Sequence, residues 1–335
     1  MESCVRPILQ QAVSPTQRVP LAGRTRGRYK QRTPPSCALP SLSPSIRATT
    51  VHRPAIEFFT ASDGYRLHFR RWMAAGSAPQ GTIVALHGIQ SHSGWYSATS
   101  RQLCEAGYDV LFVDRRGSGL NERRRGDAPH AERLLNDVSQ FLQWARHDQA
   151  RRGRAAATIL LSVSWGGKLA ALTAARRPEL LDALALLYPG IRARIRATAL
   201  QNLKLSLAEV AGVREKRVPI PLEDPSLFTA DLHWQAYISH DALTLREVTV
   251  GFLAANRQLD RQLLDAPEAI VSPTLLMLSG QDRIIDNRAM RGYFLRFASS
   301  RRKLIEYVDA AHTLEFEPNR DETVRDLLHW LESIL

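Results

Sequence analysis

The chain has 335 residues with an apolar fraction of 44%, enough to bury the core of one sizeable α/β domain. It contains no run of about 18 apolar residues, so no membrane-spanning helix is predicted. The formal net charge is +12, but residues 1–56 hold nine Arg and Lys against a single acid, Glu2. The body of the chain is only mildly basic, and the charge therefore argues against a nucleic-acid-binding function.

Residues 1–50 are rich in Pro, Ser, Arg and Thr and have no apolar periodicity, which predicts a disordered basic extension. Its acid-poor composition is also typical of an organelle transit peptide and leaves a nucleic-acid-binding arm open. The apolar core of a secretory signal is missing. We therefore expect a cytoplasmic protein, with organelle import through this extension as the alternative.

Order is predicted to begin with a β-hairpin, because two alternating runs, 56–60 and 65–69, flank Asp63-Gly64. The apolar run 82–86 reads as a buried strand of a parallel sheet. A helix over 96–106, a strand over 109–113 and a helix over 131–146 follow. This alternation of strands and helices is typical of an α/β sheet.

The second half of the chain continues the pattern with strands at 158–163, 183–187, 274–278 and 303–308, and a final amphipathic helix ending near Ile334. The predicted fold is a mostly parallel eight-stranded sheet with helices on both faces. Residues 51–188 and 272–335 form its core. Residues 189–271 interrupt this alternation of strands and helices and are predicted to form a helical cap. The cap is inserted before the strand 274–278, which the predicted catalytic acid follows.

Ser164 stands between the strand 158–163 and a glycine-opened helix, in the pattern S-x-S-x-G, where Ser162 replaces the first glycine of G-x-S-x-G. A serine hydroxyl needs a base and a group that orients this base. Asp282 follows the strand 274–278 and His312 follows the strand 303–308. They occur in the order Ser, acid, His, with Asp286 as the alternative acid.

Further residues complete the predicted site. We expect the backbone N–H groups of Ile89 and Trp165 to form the oxyanion hole, and His87 to support the Ile89 loop. Trp234, Tyr237 and Phe252 are candidates for substrate binding, although their spacing also fits core packing. Three cysteines without C-x-x-C spacing predict neither a disulfide framework nor a metal site.

With these residues in place, the chain resembles the α/β-hydrolase superfamily, in its monoacylglycerol lipase/lysophospholipase-like branch, often called serine aminopeptidase-like. The resemblance covers about residues 56–335. It rests on HGIQSHSGWY (87–96), DRRGSGL (114–120), the Ser164 turn, Gly280-Gln281-Asp282 and Ala311-His312.

The resemblance implies a serine hydrolase that cleaves a carboxylic ester through an acyl-enzyme, without a cofactor. A monoacylglycerol or lysophospholipid would be the substrate, with at most peripheral membrane contact through the cap. A peptidase, amidase or acyltransferase using the same triad remains open. A peptidase would need an acidic anchor, for which Glu209, Glu215, Glu223 and Asp224 are candidates. A non-catalytic binding protein on this fold is a further alternative.

Overall fold

The computed structural model describes residues 53–195, 206–208 and 211–335, and the predicted extension, residues 1–50, lies outside them. The described strands are, in chain order, β1 (Ala55–Thr60), β2 (Arg66–Trp72), β3 (Gly81–Leu86), β4 (Tyr108–Val113), β5 (Thr158–Val163), β6 (Ala183–Leu187), β7 (Arg217–Pro219), β8 (Glu247–Thr249), β9 (Thr274–Ser279) and β10 (Arg302–Tyr307). Eight of them form one sheet in the order β1-β2-β4-β3-β5-β6-β9-β10, and β7 pairs with β8 in a separate ribbon.

The main sheet is antiparallel only at its β1 end, where β1 pairs with β2 and β2 with β4. The other neighbours are parallel. The central strands are buried along their whole length, as expected for apolar strands covered on both faces. The predicted eight-stranded, mostly parallel α/β sheet is confirmed.

Within the described ranges, seven α-helices have defined bounds: α1 (Ser97–Glu105), α2 (Ala131–Arg151), α3 (Gly166–Arg176), α4 (Leu232–His240), α5 (Val250–Gln262), α6 (Asn287–Leu295) and α7 (Arg320–Ile334). The β3-α1-β4 and β4-α2-β5 crossovers run in opposite directions across the sheet. Because such crossovers are right-handed, α1 and α2 lie on opposite faces. Helix α7 packs beside α1, and α3 beside α2.

The segment between β6 and β9 contains the short ribbon and the helices α4 and α5. Both helices begin at a side chain that accepts backbone N–H groups, Asp231 for α4 and Thr249 for α5. The prediction that residues 189–271 form a cap stays a prediction. None of the helices in the described ranges is long and apolar enough to cross a membrane.

Candidate active site

Ser164 lies in a strained turn between β5 and α3. Its φ of 49° is in the left-handed region, which is unfavourable for a residue with a Cβ. Hydrogen bonds hold the turn on both sides. The Ser164 N–H donates to the Leu187 carbonyl (3.1 Å), and the Ser164 carbonyl accepts from the Gly167 and Gly190 N–H groups (2.9 and 2.6 Å). The turn therefore presents a partly exposed hydroxyl at the carboxyl end of β5.

Glycines make room for this turn. A Cβ at Gly166 would lie 2.7 Å from the His87 carbonyl oxygen, and one at Gly190 would lie 3.0 Å from the backbone N of Trp165. The Ser162 hydroxyl, two residues before the nucleophile candidate, is buried without a hydrogen-bond partner in the described structure. A serine side chain is therefore accommodated at this position in place of the glycine of G-x-S-x-G.

His312 and Asp282 reach Ser164 from the two following strand ends. The His312 Nε2 lies 3.0 Å from Ser164 Oγ, and its Nδ1 lies 2.7 Å from Asp282 Oδ2. Because Nδ1 faces a carboxylate, the neutral ring carries its proton there, which leaves Nε2 free to accept the serine proton. The structure brings these three predicted residues together.

Asp282, rather than Asp286, is the carboxylate against His312. The second Asp282 oxygen accepts the N–H groups of Ile284 and Ile285 at 2.7 and 2.9 Å, which fixes the carboxylate in the loop after β9. Asp286 instead accepts the Ala289 N–H at the start of α6 (3.0 Å). One of the two candidate acids thus orients the histidine, and the other begins a helix.

Two rings enclose the imidazole of His312, which is 1% exposed. The Tyr188 ring contacts it edge-on at 4.9 Å and the Phe228 ring at 5.9 Å. The Phe228 carbonyl also accepts the Thr313 N–H (2.8 Å), which ties the histidine loop to the segment between β6 and β9. These contacts restrict the ring to the orientation that meets Ser164.

His87 holds the peptide that contains the Ile89 N–H. Its Nδ1 donates to the Gly88 carbonyl (2.7 Å), and its Nε2 accepts the Arg115 N–H (2.8 Å). The Gly88 carbonyl and the Ile89 N–H belong to one peptide unit, so fixing the first fixes the direction of the second. Burial lowers the pKa of His87, which keeps the ring in the neutral form that this bonding requires.

The Trp165 N–H precedes the first turn of α3 and has no acceptor within that helix. The Trp165 side chain is buried against α5, where its Nε1 donates to Asn256 Oδ1 (2.8 Å) and its ring contacts Phe252 (5.3 Å). Lys168, one turn later on α3, donates to Asn256 at 2.9 Å and also binds Asp260. Helix α5 is therefore tied to the helix that follows the nucleophile candidate.

The loop after β3 is tied to the segment between β6 and β9 as well. The Asp241 carboxylate, at the end of α4, accepts the His92 Nε2 proton at 2.8 Å and the Trp95 Nε1 proton at 2.7 Å. The Leu245 N–H donates to the Gln90 carbonyl (2.9 Å). These bonds fix the part of the loop that follows Ile89.

The structure separates the three candidate substrate-binding aromatics. Phe252 is fully buried beside Trp165. Trp234 and Tyr237 are half-buried around Phe316, which follows His312 by four residues, and Trp234 stacks on it at 4.6 Å. Phe252 thus lies next to the Ser164 turn, while the other two lie beside the histidine loop.

Sequence reasoning missed Arg115 and Asn256, which contact Ile89 and Trp165, the two residues predicted to supply the oxyanion donors. Arg115 lies over the Trp165 ring and donates to the Ile89 carbonyl. Asn256 gave no signal, because a single Asn in an amphipathic helix is ordinary. Arg115 belongs to DRRGSGL (114–120), a sequence typical of a structural turn after a strand, and this pattern does not single it out.

A serine hydroxyl that is hydrogen-bonded to a histidine, which in turn is hydrogen-bonded to a carboxylate, can attack a carbonyl carbon. N–H groups beside the serine can stabilise the negative charge that then forms on the carbonyl oxygen. A family model described as serine aminopeptidase, S33, matches residues 77–319. The chain is 24% identical over 278 residues to the monoacylglycerol lipase of Mycolicibacterium smegmatis, a match that covers 83% of this chain and 96% of that protein.

Two further similarities differ in extent. An uncharacterised abhydrolase domain-containing protein of Dictyostelium discoideum is 25% identical over 274 residues, which is 81% of this chain but only 28% of that protein. The solved structure of a monoglyceride lipase from Saccharomyces cerevisiae matches with a TM-score of 0.75 and 17% identity, over 87% of this chain and 99% of that one. At this identity the structural match supports the fold alone.

Proposed function

The chain belongs to the serine aminopeptidase (S33) family of α/β hydrolases, and from this premise we propose that it is a serine hydrolase of carboxylic esters. Ser164 is the nucleophile, His312 the base, Asp282 its orienting carboxylate, and the N–H groups of Ile89 and Trp165 the oxyanion donors. One observation carries the proposal. A continuous chain of hydrogen bonds, 3.0 and 2.7 Å long, runs from the Ser164 hydroxyl through His312 to Asp282.

The reaction follows from these contacts. His312 Nε2 takes the Ser164 proton as Oγ attacks the ester carbonyl carbon, and the oxyanion that forms accepts the N–H groups of Ile89 and Trp165. The carbon–oxygen bond to the alcohol then breaks, and His312 returns the proton to the departing alkoxide. Water attacks the acyl-enzyme in the same manner, its proton passing through His312 to Ser164 as the acid is released. Throughout, Asp282 stabilises the imidazolium and holds its Nδ1 proton.

The proposed substrates are monoacylglycerols or lysophospholipids. The similarity to the M. smegmatis monoacylglycerol lipase, which extends over 96% of that protein, supports this substrate class. Trp234 and Tyr237, half-buried beside the histidine loop, offer apolar surface that suits an acyl chain, whereas Phe252 is fully buried against Trp165 and offers none.

Peptide cleavage is the second candidate, favoured only by the description of the matching family. A peptidase would need a carboxylate near the site to bind the free amino group of its substrate, and the candidate acids give little support for such a group. Glu215, Glu223 and Asp224 are exposed, and Asp224 accepts from Ser226. Glu209 lies outside the described residues. Release of amino acids from aminoacyl-naphthylamides at rates that match ester hydrolysis would favour this candidate.

The test is a panel of p-nitrophenyl and monoacylglycerol esters of graded chain length, assayed with the parent and with Ser164→Ala. We expect kcat to fall by about 10⁴- to 10⁶-fold in Ser164→Ala. Ser162→Ala is the matched control, since it removes a buried hydroxyl that has no hydrogen-bond partner among the described residues, and this variant should keep its activity. Undiminished hydrolysis by Ser164→Ala would refute the proposal, as would the absence of labelling by a fluorophosphonate probe.

A further inference from the structure

Arg115 is buried between two aromatic rings next to the proposed oxyanion hole. Its guanidinium carbon lies 4.9 Å from the centroid of the Trp165 ring and 4.9 Å from that of Phe252. The Arg115 Nη2 donates to the Ile89 carbonyl at 3.1 Å. One side chain therefore contacts both residues whose N–H groups are the proposed oxyanion donors, together with helix α5.

This arginine is held by carbonyl groups. Besides Ile89, its Nη1 donates to the Arg116 carbonyl at 3.2 Å, while Nε has no hydrogen-bond partner within the described part of the chain. The neighbouring Arg116 differs, since it pairs with Asp137 and Asp63. Burial lowers the pKa of Arg115 to about 10, so the side chain is still protonated at pH 8. A buried cation that forms no ion pair with a carboxylate of the described residues is costly, which calls for a reason to keep it.

We infer that Arg115 is a positioning residue that fixes both donors of the oxyanion hole at once. The inference rests on the proposed function of Ser164. The bond to the Ile89 carbonyl holds the peptide that follows the first donor, and the stacked guanidinium holds the indole of the second. A planar guanidinium can stack and donate in its own plane at the same time, which a lysine ammonium cannot do. Arg115 acts through these neighbours and does not touch the reacting atoms.

The Arg115 side chain also connects elements that are far apart in the sequence. Arg115 follows β4, Ile89 follows β3, Trp165 follows β5 and Phe252 lies on α5. Two oxyanion donors that come from different strands can shift relative to each other. A rigid side chain that bonds to one and stacks on the other removes this freedom before the substrate binds, which is the preorganisation that oxyanion stabilisation requires.

The test uses Arg115→Met, which keeps the length of the side chain and its apolar contact with the two rings but removes the donors. The backbone bond from Arg115 to His87 remains. We expect kcat for p-nitrophenyl butyrate to fall by about 10- to 100-fold, with KM changed by less than about threefold, because the loss is confined to the transition state. Affinity for an alkyl trifluoromethyl ketone, which forms an oxyanion on Ser164, should fall by the same factor. Affinity for the matching ether, in which an oxygen atom replaces the carbonyl group so that no oxyanion can form, should not fall.

Arg125→Met is the matched control. Arg125 is half-buried and donates to the Gly119 and Leu243 carbonyls at 2.9 and 2.5 Å, neither of which belongs to the proposed site. Its kcat should stay within about threefold of the parent. Arg115→Lys serves as a second variant if Arg115→Met does not fold. It keeps the charge but loses the planar fork, so the same loss of kcat is expected.

The inference is overturned if a folded Arg115 variant keeps kcat within about threefold of the parent, or if ketone and ether lose affinity equally. The latter result would indicate a general structural role. Failure of the proposed function looks different, because then the parent itself has no hydrolysis that depends on Ser164.

Discussion

Gly166, the first residue of α3, packs directly against the backbone at the end of β3, next to the Ser164 turn. A Cβ at this position would lie 2.7 Å from the His87 carbonyl oxygen and 2.9 Å from that of Leu86, both backbone atoms of the neighbouring strand and its loop. Ordinary contact begins near 3.4 Å. Gly166→Ala must therefore move α3 away from β3 by about 0.7 Å, since strand backbone cannot yield as a flexible side chain does.

The displacement separates the two proposed oxyanion donors, because α3 begins beside Trp165 and β3 leads into Ile89. Overpacking of this kind costs about 1–3 kcal/mol of unfolding free energy. A misplacement of about 1 Å can cost about 100-fold in rate, so we expect kcat/KM of Gly166→Ala to fall by about 10- to 100-fold. Urea unfolding followed by circular dichroism, and hydrolysis of p-nitrophenyl butyrate, measure the two effects.

Gly292→Ala is the control with the opposite sign. Gly292 lies in α6, and a Cβ there would meet nothing within 4 Å. Alanine is the better helix former, so the free energy of unfolding of this variant should rise by about 0.5–1 kcal/mol and its activity should be unchanged. The reasoning is refuted if Gly166→Ala is as stable and as active as the parent, or if the two alanine variants shift stability in the same direction.

Three further changes have defined outcomes. Burial raises the pKa of Glu315 from its usual 4.5 to about 7, so the folded protein holds this proton more tightly than the unfolded chain. As pH rises from 4.5 to 7, the free energy of unfolding of the parent should fall by about 2–3 kcal/mol relative to that of Glu315→Gln. Urea unfolding at several pH values measures this difference, and a difference that stays constant with pH would contradict the prediction. Asp241→Ala leaves the ring N–H groups of His92 and Trp95 without their acceptor and should cost about 2–4 kcal/mol in urea unfolding. Trp165→Leu should raise the ratio of kcat/KM for dodecanoyl over butanoyl esters by about tenfold, because it removes a buried ring beside Ser164, the proposed nucleophile. An unchanged ratio would show that this ring does not limit chain length.

The sheet could be predicted from the sequence because its signals are local. Each buried strand is a short apolar run, and the turn at Gly64 (φ 75°) follows the Asp-Gly signal of the first hairpin. The carboxyl ends of parallel strands meet at one edge, so the order of Ser164, Asp282 and His312 was enough to predict their meeting. Helix α2 nevertheless continues to Arg151, one turn beyond the prediction, since its last turn is polar and gives no apolar period.

The rest depends on contacts between distant parts of the chain. The three-residue strands β7 and β8 are too short to show alternation, and the start of α6 is hard to identify because its cap, Asp286, is also a candidate acid. The stack of Arg115 on Phe252 joins residues from opposite halves of the sequence. No local pattern distinguishes such an arginine from one exposed to solvent.

The bonds from α5 to α3 set a condition for building chimeras of this protein. Exchanging the segment between β6 and β9 for that of a relative is an obvious way to change which esters are accepted. Here the exchanged segment would also have to supply Asn256 for the Trp165 indole N–H, Asp260 for Lys168 and Asp241 for the loop that carries Ile89. A donor segment chosen only for its lipid-facing residues would therefore disturb catalysis before it altered selectivity, whereas one grafted together with these three side chains would leave the reaction centre intact.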